Sequence, residues 1–466
     1  MHRVHLGELR NSWSAWAGVS VTFVTVNAAL ALIVLMASTG FVSGDAGVAI
    51  YAGTQLVTTG FLILLVSLPV LASATSLVVN ARRGALARLA LVGATPSQVR
   101  STLVSQLVAV SLASALVGDL LAFALARPWM ALDAWAARNE GLALPTEPGP
   151  HWGPVLAVNV LCAGVAVLAG ARQASCASSI PPIEALRQAM APMRDARLTA
   201  GGWVALVVIG LGVTGAIGAV VVISAQGSVS VVGHLIMAAT TLVFVLTAGL
   251  AVAAPVVVAP LTRAWTALVP SRAPARVLAR STVSARADRL YKSVIPVMFA
   301  LAIGIGVTAV LDSSLASMVA SGGGFAELST PAIADLAALF GLPLAIAFSS
   351  GIGSLVMMGR QRDAELALLG IVGGTPAQRS WIPVWEAVII TVNAALLSLI
   401  VTVPSLIYTW FAITAAGATF VLVVQPWLVA LLVGGGIVGT ALTTVLPTLP
   451  AQRLPEPRVV ARLVGE

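Results

Sequence analysis

The chain has 466 residues, 59% of them hydrophobic and 9% charged, with a mean hydropathy of +1.01 and a formal net charge of +8. A soluble globular chain carries about 25% charged residues, so this composition cannot coat a water-facing surface and excludes that class. Lys292 is the single lysine, and the arginines cluster between apolar runs. Topology accounts for such a pattern, and no nucleic acid partner is needed.

Apolar runs of about 20 residues indicate membrane helices rather than a barrel. The first run follows the slightly basic MHRVHLGELRNSWSAW and is too long for the core of a cleavable signal. It therefore reads as a retained span, although MASTG at 36–40 mimics a cleavage site. In chain order the spans fall near 16–39, 53–79, 101–126, 152–171, 202–224, 231–259, 293–312, 332–357, 381–408 and 427–449. Ten spans put both termini on one side. With the N-terminus inside, every Lys and Arg except Arg127 and Arg138 falls in a cytoplasmic segment, as the positive-inside rule requires.

Trp13, Trp16, Trp129, Trp152, Trp203, Trp381, Trp410 and Trp427 lie near span ends and read as an aromatic belt. The longest outer loop, about 127–151, is Pro-rich and includes Asp133; the outer loop at 313–331 carries Gly322, Gly323 and Gly324. Neither is long enough for a sizeable independent domain.

One segment occurs twice. RLALVGATPSQVR at 88–100 returns as LLGIVGGTPAQRS at 368–380. Aligned from Arg82 and Arg362, the copies share Arg82/Arg362, Leu86/Leu366, Ala87/Ala367, Leu89/Leu369, Val92/Val372, Gly93/Gly373, Thr95/Thr375, Pro96/Pro376 and Gln98/Gln378. Gly just past a helix takes the left-handed conformation that closes the last turn. Thr then serves as N-cap, Pro opens a new helix, and Gln three residues on completes a capping box. Each copy is thus expected to be a short amphipathic helix, a break, and a fresh helix entering the membrane. Leu86 and Leu89 alternate with Arg82, Arg83 and Arg88; Leu366 and Leu369 face Arg362, Asp363 and Glu365. A single such helix would read as resting among lipid headgroups with snorkelling Arg. Two matched copies, each capped into the third span of a four-span block, read as docking elements. The layout is four spans, two, then four, with both blocks in the same orientation, as in parallel repeats. Its natural partner is a symmetric cytoplasmic dimer.

These residues resemble the FtsX-like permease family, which includes the MacB-type ABC transporter permeases. The resemblance rests on RRGALARLALVGATPSQVR, on RQRDAELALLGIVGGTPAQRSWIPVWEA, and on SIPPIEALR at 179–187. Glu386 matches an acidic residue common soon after the break; the first copy has Gln106 there. The four–two–four layout is similar to the ten-span Bce-type permeases.

The resemblance implies an all-α polytopic fold in three parts. They are a first FtsX-like repeat over 1–200 with a coupling helix near 82–93, a two-span linker over 201–260, and a second repeat over 261–466 with a coupling helix near 362–373. It also implies a bacterial cytoplasmic-membrane location and two copies of an ABC ATPase below. Arg82, Arg83, Leu86, Leu89, Gly93, Thr95, Pro96, Arg362, Leu366, Leu369, Gly373, Thr375, Pro376 and Glu386 would form the docking and coupling elements.

ATP and Mg would sit on those partners, with no cofactor or metal on this chain. The action implied is export or extraction of an amphiphilic or hydrophobic compound such as an antimicrobial peptide, lipid or drug. MacB-type members carry a large outer domain between spans one and two, and Bce-type members one between spans seven and eight. Here those gaps are only about 40–52 and 313–331.

No Walker A pattern occurs, so ATP hydrolysis is assigned to a partner. Cys162 and Cys176 give no metal spacing, and His2, His5, His151 and His234 are scattered, which leaves no constellation for a lipid-acting enzyme. Ionisable residues in or near spans are Asp119, Asp312, Asp335, His234 and Glu386. Asp119 is the candidate intramembrane substrate or proton contact, and Glu386 reads as a brace for its coupling helix. Gly435 and Gly439, and Gly210, Gly212, Gly215 and Gly218, predict close helix packing. Pro69, Pro296, Pro383 and Pro404 are candidate kinks. The Arg-rich stretch from Arg263 to Lys292 reads as an amphipathic elbow or a site for anionic lipid. Two alternatives stand beside the permease reading: a mechanical regulator of an extracellular cell-wall hydrolase, and an ion-coupled secondary transporter. An accessory or sensor subunit is left open.

Overall fold

The computed structural model describes residues 13–81, 93–138, 143–149, 152–178, 198, 200–224, 229–269, 273–285, 287–321 and 333–445. Among them every regular element is a helix, because hydrocarbon offers backbone groups no partner and a helix satisfies them internally. In chain order these are α1 (Trp13–Val42), α2 (Ala46–Ala81), α3 (Pro96–Ala137), α4 (Trp152–Ser178), α5 (Ala200–Ser224), α6 (Val229–Leu268), α7 (Pro274–Ala285) and α8 (Ala287–Leu301). A π-helical turn, Ala302–Val307, leads into α9 (Thr308–Ala320), followed by α10 (Ile333–Ile371), α11 (Pro376–Ala415) and α12 (Pro426–Val445).

Among the described residues, eight helical stretches are long and apolar enough to cross a membrane. They coincide with the expected spans one to three and six to ten. Two shorter apolar stretches, Trp152–Leu168 and Gly202–Gly215, fall on the expected fourth and fifth.

The core runs through both halves of the bundle; Trp16 and Leu32 of α1, Leu71 of α2, Phe244 of α6, and Met298 and Phe299 of α8 are among its largest fully buried side chains. Helix α1 packs on α2 and α3, and α3 on α4; in the second half α8 packs on α10 and α11, and α11 on α12. The same order of pairing thus recurs, and the halves meet where α10 lies against α1 and α2. Hydroxyl side chains enter the core by bonding back along their own helix, as Thr75 does to the Leu71 carbonyl at 2.8 Å and Thr247 to the Val243 carbonyl at 2.6 Å.

Several expectations need correction. The stretch from residue 127 is not loop: α3 runs through Pro128 to Ala137 and has 42 residues. At 1.5 Å per residue it is about 63 Å long, twice a hydrocarbon core. A proline inside a helix frees one carbonyl and strains one turn, but a long apolar helix packed on both sides continues past it. The helix carrying the second copy of the repeat is likewise not separate, because α10 is continuous from Ile333 to Ile371. Trp16 belongs to the core, fully buried, while Trp152, Trp203, Trp381, Trp410 and Trp427 are exposed as a belt requires.

The glycines expected to pack in α5 and α12 approach no neighbour: a Cβ added at Gly210, Gly212, Gly215, Gly218, Gly435 or Gly439 would meet nothing within 4 Å, and on α12 it is Gly436 that faces Thr391 of α11. The tight crossing is elsewhere, where Gly353 of α10 lies against the carbonyl of Gly18 on α1. Pro69, Pro296, Pro383 and Pro404 all sit inside helices, and the π-helical turn begins six residues after Pro296. In the Arg-rich stretch, α7 buries Ala275, Ala279 and Val283 along one face. Its Arg276 guanidinium lies 5.3 Å from the ring centroid of Trp385 on α11.

Candidate functional site

At the start of α3 and of α11 the same local structure is built twice. Gly93 and Gly373 hold φ of +98° and +99°, the left-handed region that suits glycine. In the second copy the Gly373 N–H donates to the Gly370 carbonyl at 3.1 Å and the Gly374 N–H to the Leu369 carbonyl at 2.8 Å. That bond pair is a Schellman motif. The hydroxyls of Thr95 and Thr375 accept from the backbone N–H of Gln98 and Gln378 at 3.4 and 3.3 Å. The glutamine side-chain oxygens accept in return from the N–H of Thr95 and Thr375 at 2.9 and 3.0 Å. Pro96 and Pro376 are the first residues of their helices. Both capping boxes expected from the repeated Thr-Pro-x-Gln are therefore formed.

Leu369 is half-buried against the core. Gln106 and Glu386, each ten residues beyond the helix-opening proline, are both buried. Arg82, Arg83, Leu86 and Leu89 lie outside the described residues, and so do the side chains of Arg362, Leu366, His234 and Asp335.

About halfway along α3, Asp119 joins three helices. One carboxylate oxygen accepts from the side-chain amide of Asn27 on α1 at 2.9 Å, the other from Asn159 on α4 at 2.7 Å. The Asn27 amide also donates to the Ala115 carbonyl at 3.1 Å. The two side-chain oxygens of Asn27 and Asn159 are buried without a hydrogen-bond partner among the described residues. In the sequence Asp119 appeared alone; its partners could have been found as the asparagines of two other apolar spans, since polar side chains there bond across helices.

Near the far end of α3 lies a second polar cluster that the sequence reading missed. Asp133 is 5% exposed. One of its oxygens accepts from the Tyr51 hydroxyl at 3.1 Å and from the Gln55 amide at 3.3 Å. The Gln55 amide also donates to the Tyr51 hydroxyl at 3.0 Å, and its carbonyl accepts from Thr59 at 3.1 Å. Beside this cluster opens a cavity of about 580 Å³, walled by Ile50, Tyr51, Thr54 and Gln55 of α2, Met237 of α6 and Leu339 of α10. That volume falls in the range of small-molecule sites. A smaller space of about 20 Å³ adjoins Asp133 and Gln55, enough for one water. Its signal in the sequence was masked by Pro128, read as loop. Asp312, at the end of the seventh expected span, accepts from the Gln425 amide at 2.8 Å.

No group of His, Cys, Asp or Glu that could hold a metal occurs among the described residues. The arrangement is a bundle of helices long and apolar enough to cross a membrane, with two matched breaks and an amphiphilic cavity, as suits an integral membrane protein. Residues 57–182, which span α2 to α4 and the first break, match the family model FtsX-like permease C-terminal. The match is consistent with an FtsX- or MacB-type permease and suggests a membrane protein of ABC-permease type. No curated protein and no solved structure matches the chain.

Proposed function

We propose that this chain is the permease subunit of an ABC transporter, in the bacterial cytoplasmic membrane with both termini cytoplasmic. It has ten spans, arranged as two parallel four-span repeats around a two-span linker. Two copies of a separate ATPase dock below, one at residues 82–93 and one at 362–373, and carry the ATP and Mg. Closure of the ATPases pushes on the two helices, and the breaks at Gly93 and Gly373 pass the push to α3 and α11. The cargo is an amphiphilic or hydrophobic compound, exported or extracted through the cavity beside Asp133. Glu386 braces the second coupling element, and Asp119 braces α1 and α4 rather than meeting cargo.

The observation that carries this reading is the pair of matched capping structures. Two identical hinges at the base of equivalent helices suit a partner with two equivalent lobes. An ion-coupled carrier gains no comparable support. The test is the mass of the complex: the tagged chain is purified from its own cells in mild detergent and weighed by native mass spectrometry. Two ATPase chains per permease are expected. The intact permease running alone or as a homodimer overturns the proposal.

A further inference from the structure

Between α11 and α12 the chain makes no helix over residues 418–425, Ala-Thr-Phe-Val-Leu-Val-Val-Gln, yet it is firmly held. Three serines one turn apart, two on α9 and one at its C-cap, bind it. The Ser313 hydroxyl accepts from the Val423 N–H at 3.0 Å and donates to the Val423 carbonyl at 3.1 Å. The Ser317 hydroxyl accepts from the Val421 N–H at 2.8 Å, while its own proton goes to the Ser313 carbonyl at 2.6 Å. Ser321 accepts from the Thr419 N–H at 3.2 Å. The geometry explains the match: four helical residues rise about 6 Å, and two extended residues rise about 6.6 Å. A serine every four residues therefore keeps step with an extended chain every two. The Gln425 amide fixes the lower end on Asp312.

In an extended chain the N–H and C=O of one residue point to one side and those of the next to the other. Thr419, Val421 and Val423 turn theirs to α9, so Phe420, Leu422 and Val424 turn theirs away. Those three residues have no hydrogen-bond partner among the described residues. The side chains beside this open edge are apolar, with Leu422 59% and Val424 42% exposed. Exposed edges are usually blunted by a charge, a proline or a bulge; residues 418–425 contain no charge and no proline. The segment also lies at the opposite end of α11 from the Thr375 cap, about 60 Å away along its 40 residues.

We infer that Phe420, Leu422 and Val424 form an open strand edge that binds an extended, uncharged, apolar segment of another polypeptide by backbone pairing. A row of unpaired N–H and C=O groups at two-residue spacing is complementary to a second extended backbone. A lipid tail or a helix face would leave those groups unpaired. The inference does not depend on the ATPase reading, because binding is measured without nucleotide or partner.

The test uses the full chain in lipid nanodiscs and a fluorescein-labelled Thr-Val-Thr-Val-Thr-Val peptide. Fluorescence anisotropy is expected to show saturable binding. The same peptide N-methylated at every amide, and the wild-type peptide against Leu422→Pro, are each expected to bind at least about tenfold more weakly. Leu422→Ala, which keeps the N–H, is expected to bind within about threefold of wild type. Leu422→Pro removes only an outward N–H and leaves the bonds to Ser313 and Ser317 in place. The methylated peptide tests the wild-type chain, so the inference stands or falls even if that variant does not fold. Equal binding of the methylated peptide would mean apolar adhesion and overturn the inference, as would no saturable binding. A Leu422→Cys chain that forms disulfide-linked dimers without peptide would assign the edge to a second copy and equally overturn it.

Discussion

The carboxylate of Asp119 and the side-chain amide of Asn27 meet at 2.9 Å between α3 and α1, and Asn159 closes the other oxygen at 2.7 Å from α4. Asp119→Leu would strand the Asn159 amide and leave the Asn27 amide only the Ala115 carbonyl. Leaving a buried donor unpaired costs about 1–3 kcal/mol, although bonds between membrane helices average only about 0.6 kcal/mol. Asp119→Asn is different: Asn159 can turn its amide and accept from the new side chain, while Asn27 stays anchored on the Ala115 carbonyl. The leucine variant is expected to lose about 1–3 kcal/mol in detergent unfolding, the asparagine variant less than half of that. Equal losses would show that the negative charge, not the hydrogen bonding, holds the three helices.

A second prediction concerns glycine. A Cβ built on Gly353 overlaps the carbonyl oxygen of Gly18, a backbone atom that cannot rotate aside. Gly353→Ala is therefore expected to destabilise by about 1–3 kcal/mol through overpacking. Gly210→Ala meets open space and is expected to stabilise α5 by about 0.5–1 kcal/mol. Thermal unfolding of the two variants should move in opposite directions. A neutral Gly353→Ala would mean that α1 and α10 can separate at no cost.

That contrast shows where the sequence was legible. The helices were readable because hydrocarbon leaves the backbone no other choice, and the repeated Thr-Pro-x-Gln was readable because its bonds span only three residues. Gly210 to Gly218 and Gly353 look alike in the sequence. Which glycine faces a neighbour depends on how distant helices cross, and local spacing carries no such information. Asp133 was hidden for a related reason. Pro128 signals a break, but packing of α3 against its neighbours overrides the local preference and carries Asp133 onto a helix facing Tyr51.

The capping structures give a third prediction. Replacing an N-cap Thr by Ala costs about 1 kcal/mol. Thr95→Ala and Thr375→Ala share no hydrogen-bond partner, so their losses should add in the double variant. In the proposed complex the double variant should also lose ATPase stimulation by the permease, while ATPase binding persists. Gly373→Ala should cost a further 1–2 kcal/mol, roughly the price of a left-handed residue with a side chain. Loss of the ATPase subunits from the double variant on native mass spectrometry would move these residues from transmission to docking.

The last prediction concerns Asp133. Tyr51, Gln55 and Asp133 share one hydrogen-bonded cluster, with two donors on one carboxylate oxygen. Tyr51→Phe removes one donor and leaves Gln55 in place, a loss of about 1 kcal/mol. Asp133→Ala leaves the tyrosine and glutamine donors without that acceptor and should cost about twice as much. Once the carboxylate is gone, the hydroxyl loses its acceptor but still accepts from the Gln55 amide. The double variant should therefore be only slightly less stable than Asp133→Ala alone, giving a coupling energy of about 0.5–1.5 kcal/mol. Chemical unfolding of the four proteins in detergent completes the cycle. Strict additivity would show that Asp133 and Tyr51 are stabilised independently, and would remove the reason to treat the wall of the cavity as one polar unit.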